Sequence, residues 1–278
     1  QLEAHHPGDE HRHRLAKHGG LCFDTAHTPA QHAQTAGASD GVRIVPDTSR
    51  PGSVEADTVA HCDDSTEGDY VNSLTFTELY SGWTENRAVW NKSAAAVLGQ
   101  LKELEQVVPY AMKRFHTDNG GEFLNWALHR HLTGRPVKLP WTRSRACRKN
   151  DNAHCEQKNW THVRQLFGHD RFGHPELVPL MNELYGQEWS QFTNHFKATF
   201  KLLKREKQEG KTKRVDEAQP KTPYQRLLAS PDIPEATKAK LRAQHAGLDP
   251  YELKNIIEAK LRRFFTALGN LDRESTQT

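Results

Sequence analysis

Between Val54 and Trp90 the chain carries three runs in succession, VEADTVAHC, DYVNSLTFTEL and GWTENRAVW, rich in Val, Thr, Tyr, Phe and Trp. Such residues favour extended backbone, and the Ser81-Gly82 turn between the second and third joins neighbours antiparallel, so the spacing predicts a three-stranded meander. The period then changes. KSAAAVLGQLKELEQVV places Val97, Leu101, Leu104 and Val108 on one side of a helix that Pro109 ends. AMKRFH predicts a short strand leading into TDNGG, EFLNWALHRHL a second helix, and PVKLPWT a fifth strand. A basic loop, TRSRACRKN, precedes a third helix starting near Asn152, where Asn150, Asp151 and Asn152 are candidate caps. The expected fold class is α/β, a mixed five-stranded sheet flanked by helices.

Beyond Pro175 the texture is helical and basic. The stretch from Pro175 to Gln208 reads as one long or two consecutive helices, GKTKRVDEAQPKTP as a charged connection, and PYQRLLAS, PEATKAKLRAQHA and DPYELKNIIEAKLRRFFTAL as further helices. Residues 1–45 hold seven of the seventeen histidines and no sustained period, which predicts a disordered segment. The expected organisation is therefore 1–45 His-rich, 46–174 mixed-sheet core and 175–278 basic helical region. With 26% charged residues and no apolar run near 18, a membrane span is not expected. Four cysteines without a CxxC pair fit a reducing cytoplasm. The first residue is Gln rather than Met, so a fragment or a processed product is expected.

Three carboxylates stand out. Asp57 interrupts a strand run, where Asp is disfavoured; an edge strand turning Glu55, Asp57 and His61 to water would also account for it. Asp118 follows a strand and precedes a helix, where sheets present ligand groups, although Asp-Asn-Gly is also ordinary turn chemistry. Glu156 falls in a helical first turn, in line with Trp160, Val163 and Phe167, an apolar stripe read as core. Its bland role is to favour the positive helix end. Gathered at one end of a sheet, three carboxylates would repel unless hard divalent cations neutralised them. Asp63 and Asp64 are rivals for the first position.

HTDNGGEF, RSRACRKNDNAHCEQKNWTHVRQLFG, PGSVEADTVAHC, GDYVNSLTFTELYSGWTE and TPYQRLL together resemble the integrase core of bacterial insertion-sequence transposases, relatives of retroviral integrase with an Asp-Asp-Glu active site. Asp118 and Glu156 are separated by 37 residues, close to the gap such relatives use. The sequence departs from them at Glu78, Ala146 and Cys155. The resemblance implies a ribonuclease-H-like fold and catalysis by Asp57, Asp118 and Glu156. It implies two Mg²⁺ or Mn²⁺ ions on those side chains, cleavage at transposon ends and strand transfer into target DNA. Its implied partners are double-stranded DNA and further copies of the chain assembled on it, in a bacterial cytoplasm. Relatives usually carry an N-terminal helix-turn-helix, which residues 1–45 do not suggest.

DNA contacts are expected from Arg143, Arg145, Arg148, Lys149 and Lys158 at the active-site rim. Asn119 and Asn159 would neighbour the metals or the scissile strand. Lys204 and Arg205 lie in a patch from Lys197 to Arg214 with eight Lys or Arg against two Glu. His116 and His154 read as packing residues. Two other readings keep the same residues: a non-catalytic DNA-binding remnant, and a metal-dependent nuclease without strand transfer.

Overall fold

The computed structural model describes residues 47–144, 152–208 and 211–276. The expected disordered segment, the cap candidates Asn150 and Asp151, and Arg145, Arg148 and Lys149 lie outside the described residues. Five strands form one sheet: β1 (Ser53–Ala60), β2 (Val71–Glu78), β3 (Thr84–Trp90), β4 (Arg114–Thr117) and β5 (Trp141–Arg143), in the order β3-β2-β1-β4-β5. The first three are antiparallel, while β4 pairs parallel with β1 and β5 parallel with β4. That order and those directions make a ribonuclease-H-like sheet.

β1 is therefore central, and the edge-strand reading is overturned. Glu55 and His61 are 1% and 0% exposed, because β2 and β4 cover both sides of the strand. Successive β1 residues face opposite layers. Val54 and Ala56 pack with Leu74, Phe76 and Phe115 against α1 (Ala94–Val107) and α2 (Trp126–Thr133). Ser93 and Asn125 cap these helices by accepting from the N–H groups of Ala96 and Leu128.

On the opposite face lies α3, which runs through Ala153–Lys158, a π-helical Asn159–Arg164 and Gln165–Phe167. α4 follows, made of Leu177–Leu184, a π-helical Tyr185–Trp189 and Ser190–Phe196. Phe167, Phe172, Met181, Leu184 and Tyr185 form a second core with Val71 and Ala88 of the sheet and with Phe264 of a later helix. α4 also closes the outer strand. Asn182 accepts from the Ala88 N–H at 2.7 Å and donates to its carbonyl at 2.9 Å, and Asn194 does the same at Thr84, both at 2.9 Å. Two side-chain amides thus stand in for a missing neighbouring strand, satisfying backbone groups that would otherwise be buried unpaired.

The region after α4 departs from the sequence reading. Instead of continuing as helix, Leu202–Gln208 forms β6 and pairs antiparallel with β7 (Lys211–Asp216), a two-stranded ribbon. Lys, Glu and Gln favour helix intrinsically, but this segment has no apolar stripe to dock as one. Three helices complete the chain, α5 (Pro223–Ala229), α6 (Glu235–Ala246) and α7 (Pro250–Thr276), as the sequence predicts. Among the described residues no helix is long and apolar enough to cross a membrane.

Candidate active site

β1 and β4 run parallel with Ala56 opposite Thr117, so the next residue on each, Asp57 and Asp118, ends up side by side. Burial and the negative charge of Asp118 push the Asp57 carboxyl up to about 6, and Glu156 adds to the rise. Asp57 is therefore within electrostatic reach of both Asp118 and Glu156. Burial and the charge of Glu122 also raise Asp118. Asp118 Oδ1 accepts from the Gly120 N–H at 3.0 Å, the turn that holds its side chain.

Glu156 lies on an exposed flank of α3. The buried line of the helix is Cys155, His162, Val163 and Phe167, whereas Glu156 and Trp160 lie beside it. Trp160 is 54% exposed, which overturns its assignment to the core. The π-helical turn from Asn159 carries more residues per turn than an α-helix, so four-and-three spacing no longer marks one face. The same turn sets Asn159 over the site, where its Nδ2 donates to Asp57 Oδ2 at 2.8 Å.

Two carboxylates given no site role in the sequence reading complete the surroundings. Glu122 is 6% exposed, accepts from Thr58 Oγ1 at 2.9 Å and lies 3.5 Å from Lys92 Nζ. It is the glutamate of the HTDNGGEF motif, and a Cβ on Gly120 would push its carboxylate aside. Glu55 accepts from the Cys155 N–H at 3.3 Å and sits 3.2 Å from His154 Nδ1, while Cys155 Sγ donates to the Glu55 carbonyl at 3.2 Å. Asn152 caps nothing with its own side chain. Glu55, 100 residues away in sequence, does this work and pins the start of α3 to β1. Glu55→Ala is expected to cost about 1–2 kcal/mol by orphaning that buried N–H, measured by urea unfolding, with Glu55→Gln recovering most of the loss.

The oxygens at the site suit a hard divalent cation. Asn159 Oδ1 is buried with no hydrogen-bond partner among the described residues, next to the Asp57 carboxyl that burial and like charges raise. Among the described residues, no group of three or more His, Cys, Asp or Glu side chains is arranged to hold a metal ion.

The other predicted residues are dispersed. Asn119 is exposed and donates to the Ser144 carbonyl at 2.8 Å, tying the Asp118 turn to the end of β5. Arg143 is half-buried on β5, opposite Thr117. Lys158 is turned inward. Its ammonium lies near the Ser81-Gly82 turn, and burial together with Lys197 and Arg226 pushes it down to about 8. Lys204 is exposed on β6, and Arg205 occupies the next strand position. His116 bridges Thr142 Oγ1 at 2.8 Å and Ser144 Oγ at 3.3 Å, a packing role.

No protein-family model matches the chain. It is 34% identical over 157 residues to an uncharacterized protein, y4rM, of Sinorhizobium fredii (strain NBRC 101917 / NGR234), covering 55% of this chain and 43% of that one. The chain thus spans less than half the length of this relative. Similar solved structures include the simian T-cell lymphotropic virus intasome in complex with PP2A regulatory subunit B56 gamma. That match has a TM-score of 0.46 and 11% identity, and covers 69% of this chain and 59% of that one. The HTLV-2 integrase catalytic core domain in complex with magnesium, in its trimeric form, matches with a TM-score of 0.38 and 12% identity over 54% of this chain and 89% of that one. Likenesses this distant bear on neither activity nor ligand, which are argued from the chain's own residues.

Proposed function

We propose that the chain is an Asp-Asp-Glu polynucleotidyl transferase of the integrase and transposase type, cutting DNA at transposon ends and joining it to target DNA. The observation that supports this most is the company kept by Asp57. A carboxyl raised to about 6 by burial and by Asp118, with Glu156 contributing, is poorly placed for folding and well placed to hold cations. Asp57, Asp118 and Glu156 would be the ligands, with the Asn159 oxygen beside them. Two Mg²⁺ or Mn²⁺ ions there would activate an attacking oxygen and stabilise the leaving one.

The chain's own groups set the conditions for that chemistry. Asn159 fixes one oxygen of Asp57 and the Thr58 N–H the other, so the carboxylate cannot rotate away. The bond from Asn119 to Ser144 holds the Asp118 turn against β5. Asn119 and Arg143 form the described part of a rim that would meet DNA phosphates, positioning rather than specifying the duplex. Assembly of several copies on two DNA ends belongs to the same reading.

The test is cleavage and joining of DNA carrying the flanking inverted repeats, with Mg²⁺ or Mn²⁺, comparing wild type with Glu156→Gln. Joined products from wild type alone support strand transfer. Cleavage without joining would reduce the chain to a nuclease. DNA binding without either reaction would make it a non-catalytic remnant.

A further inference from the structure

At the β2–β3 turn the structure gathers cations that the carboxylate site does not use. Gly82 turns there with a φ of 77°, a conformation that glycine adopts without strain. A Cβ on it would stand 3.9 Å from Arg226 Nη1 and 4.0 Å from Lys158 Nζ, so two cationic nitrogens, brought by α5 and α3, face one small space. Arg226 is already satisfied: Glu217 holds it at 2.6 Å, and the carbonyls of Ser81 and Thr199 accept from it. Lys158 has neither a carboxylate partner nor a hydrogen-bond acceptor among the described residues. Burial and the charges of Lys197 and Arg226 all disfavour its ammonium. Lys197, just past the end of α4, donates to the Thr161 carbonyl at 3.2 Å and lies 5.9 Å over the Trp189 ring. It too meets no carboxylate among the described residues. The Trp189 indole N–H is buried with no acceptor among them. Burial, then Lys158 and Lys197, hold the imidazole of His162, 6.1 Å from Trp189, well below its ordinary value.

We propose that this space binds a phosphate group, held by the ammonium groups of Lys158 and Lys197. Sheltered like charges without a counter-ion are costly, and an anion between them reverses the sign of each interaction. Lysine suits phosphate as a compact point charge whose three donors rotate to meet the oxygens. The donors here come from α3, from the end of α4 and from Trp189, in different directions. A phosphate presents acceptors in several directions, whereas a carboxylate presents them in one plane. The way in is open, since Gly82, Lys158, Thr161 and Lys197 are each partly exposed. The phosphate can belong to a DNA backbone or to a free molecule, and only the first of these rests on the DNA-processing reading above. Lys158 follows Glu156 by two residues on α3, which brings a backbone phosphate within reach of a duplex engaged at the carboxylates.

The experiment melts the full chain in EDTA at neutral pH, with chloride replaced by inorganic phosphate at constant ionic strength, for wild type and Lys158→Met/Lys197→Met. Phosphate also stabilises proteins by exclusion from their surface, which acts on both alike, so the difference between them is the readout. Wild type should gain roughly 3 °C more than the variant at a tenfold excess of phosphate over its Kd. Equal shifts overturn the proposal. Lys158→Met alone replaces the pair if circular dichroism shows the pair unfolded, and loss of folding in that single variant overturns the proposal by showing that the ammonium serves the fold. Duplex binding in EDTA then separates the sources. If the phosphate is that of a DNA backbone, the variant's slope of log K against log salt is shallower by about 0.9, so it loses about 3.5-fold less affinity than wild type between 50 and 200 mM salt. An unchanged slope beside a wild-type phosphate shift assigns the site to a free phosphate. If the phosphate shift holds while wild type neither cuts nor joins DNA, the phosphate site stands and the catalytic reading falls.

Discussion

Glu156→Gln is expected to abolish metal-dependent cleavage and joining, lowering the rate roughly 10³-fold or more, because groups acting as one unit lose most of their effect when any member is removed. The amide keeps the size and hydrogen-bonding reach of the carboxylate and lacks its charge. Glu156 is exposed on the flank of α3, so the substitution leaves no buried group unpaired, and melting temperature should not move. Duplex affinity in EDTA should likewise match wild type. Asp118→Asn should behave the same way in turnover. Equal turnover by Glu156→Gln and wild type would remove Glu156 from the mechanism, and loss of folding in Glu156→Gln would show that its role is structural.

Asp57→Asn should reveal a cost that the wild-type fold carries at neutral pH. In the folded chain this carboxyl stays protonated up to about 6, against an ordinary value of 3.8. Below pH ~4 it is neutral whether the chain is folded or not, so aspartate and asparagine should be about equally stable there. As pH rises from ~4 through ~6 the unfolded chain ionises first, and wild type loses stability that Asp57→Asn retains. The gap should reach about 3 kcal/mol above pH 7, at about 1.4 kcal/mol per pH unit of displacement. Urea unfolding in EDTA at pH 4, 6 and 8 measures it. Adding Mg²⁺ at pH 8 should raise the wild-type melting temperature by mass action and leave the variant's nearly unchanged. A variant less stable than wild type at pH 8 would show that Asp57 is held by favourable partners rather than crowded by like charges. Equal Mg²⁺ shifts in both would place the cation elsewhere.

Much of this architecture can be read from the residues in order. The meander shows in Val, Thr and aromatic runs, and α1 in the spacing of Val97, Leu101 and Leu104, since local propensity and burial demand the same thing there. The carboxylates could be chosen because Asp57 breaks the local rule for strands, and a broken rule needs a compensating reason.

What sequence left undetermined depends on partners distant along the chain. Glu55 looks like a solvent-facing residue until β2 and β4 enclose β1 and it takes the N–H of Cys155 at 3.3 Å. Trp160 fits an apolar stripe until a π-helical turn rotates the face, and nothing local announces that turn. The ribbon reads as helix by composition, yet with no core to dock against, the pairing of β6 with β7 decides its conformation. The sequence by itself determined the order of elements up to the third helix, because that rests on short-range preference, and it nominated Asp57, Asp118 and Glu156 through their setting together with the family resemblance. That Asp57 feels both Asp118 and Glu156 was decided only by the tertiary structure, through the parallel pairing of β1 with β4 and the anchoring of α3 by Glu55, since electrostatic coupling depends on distance in space.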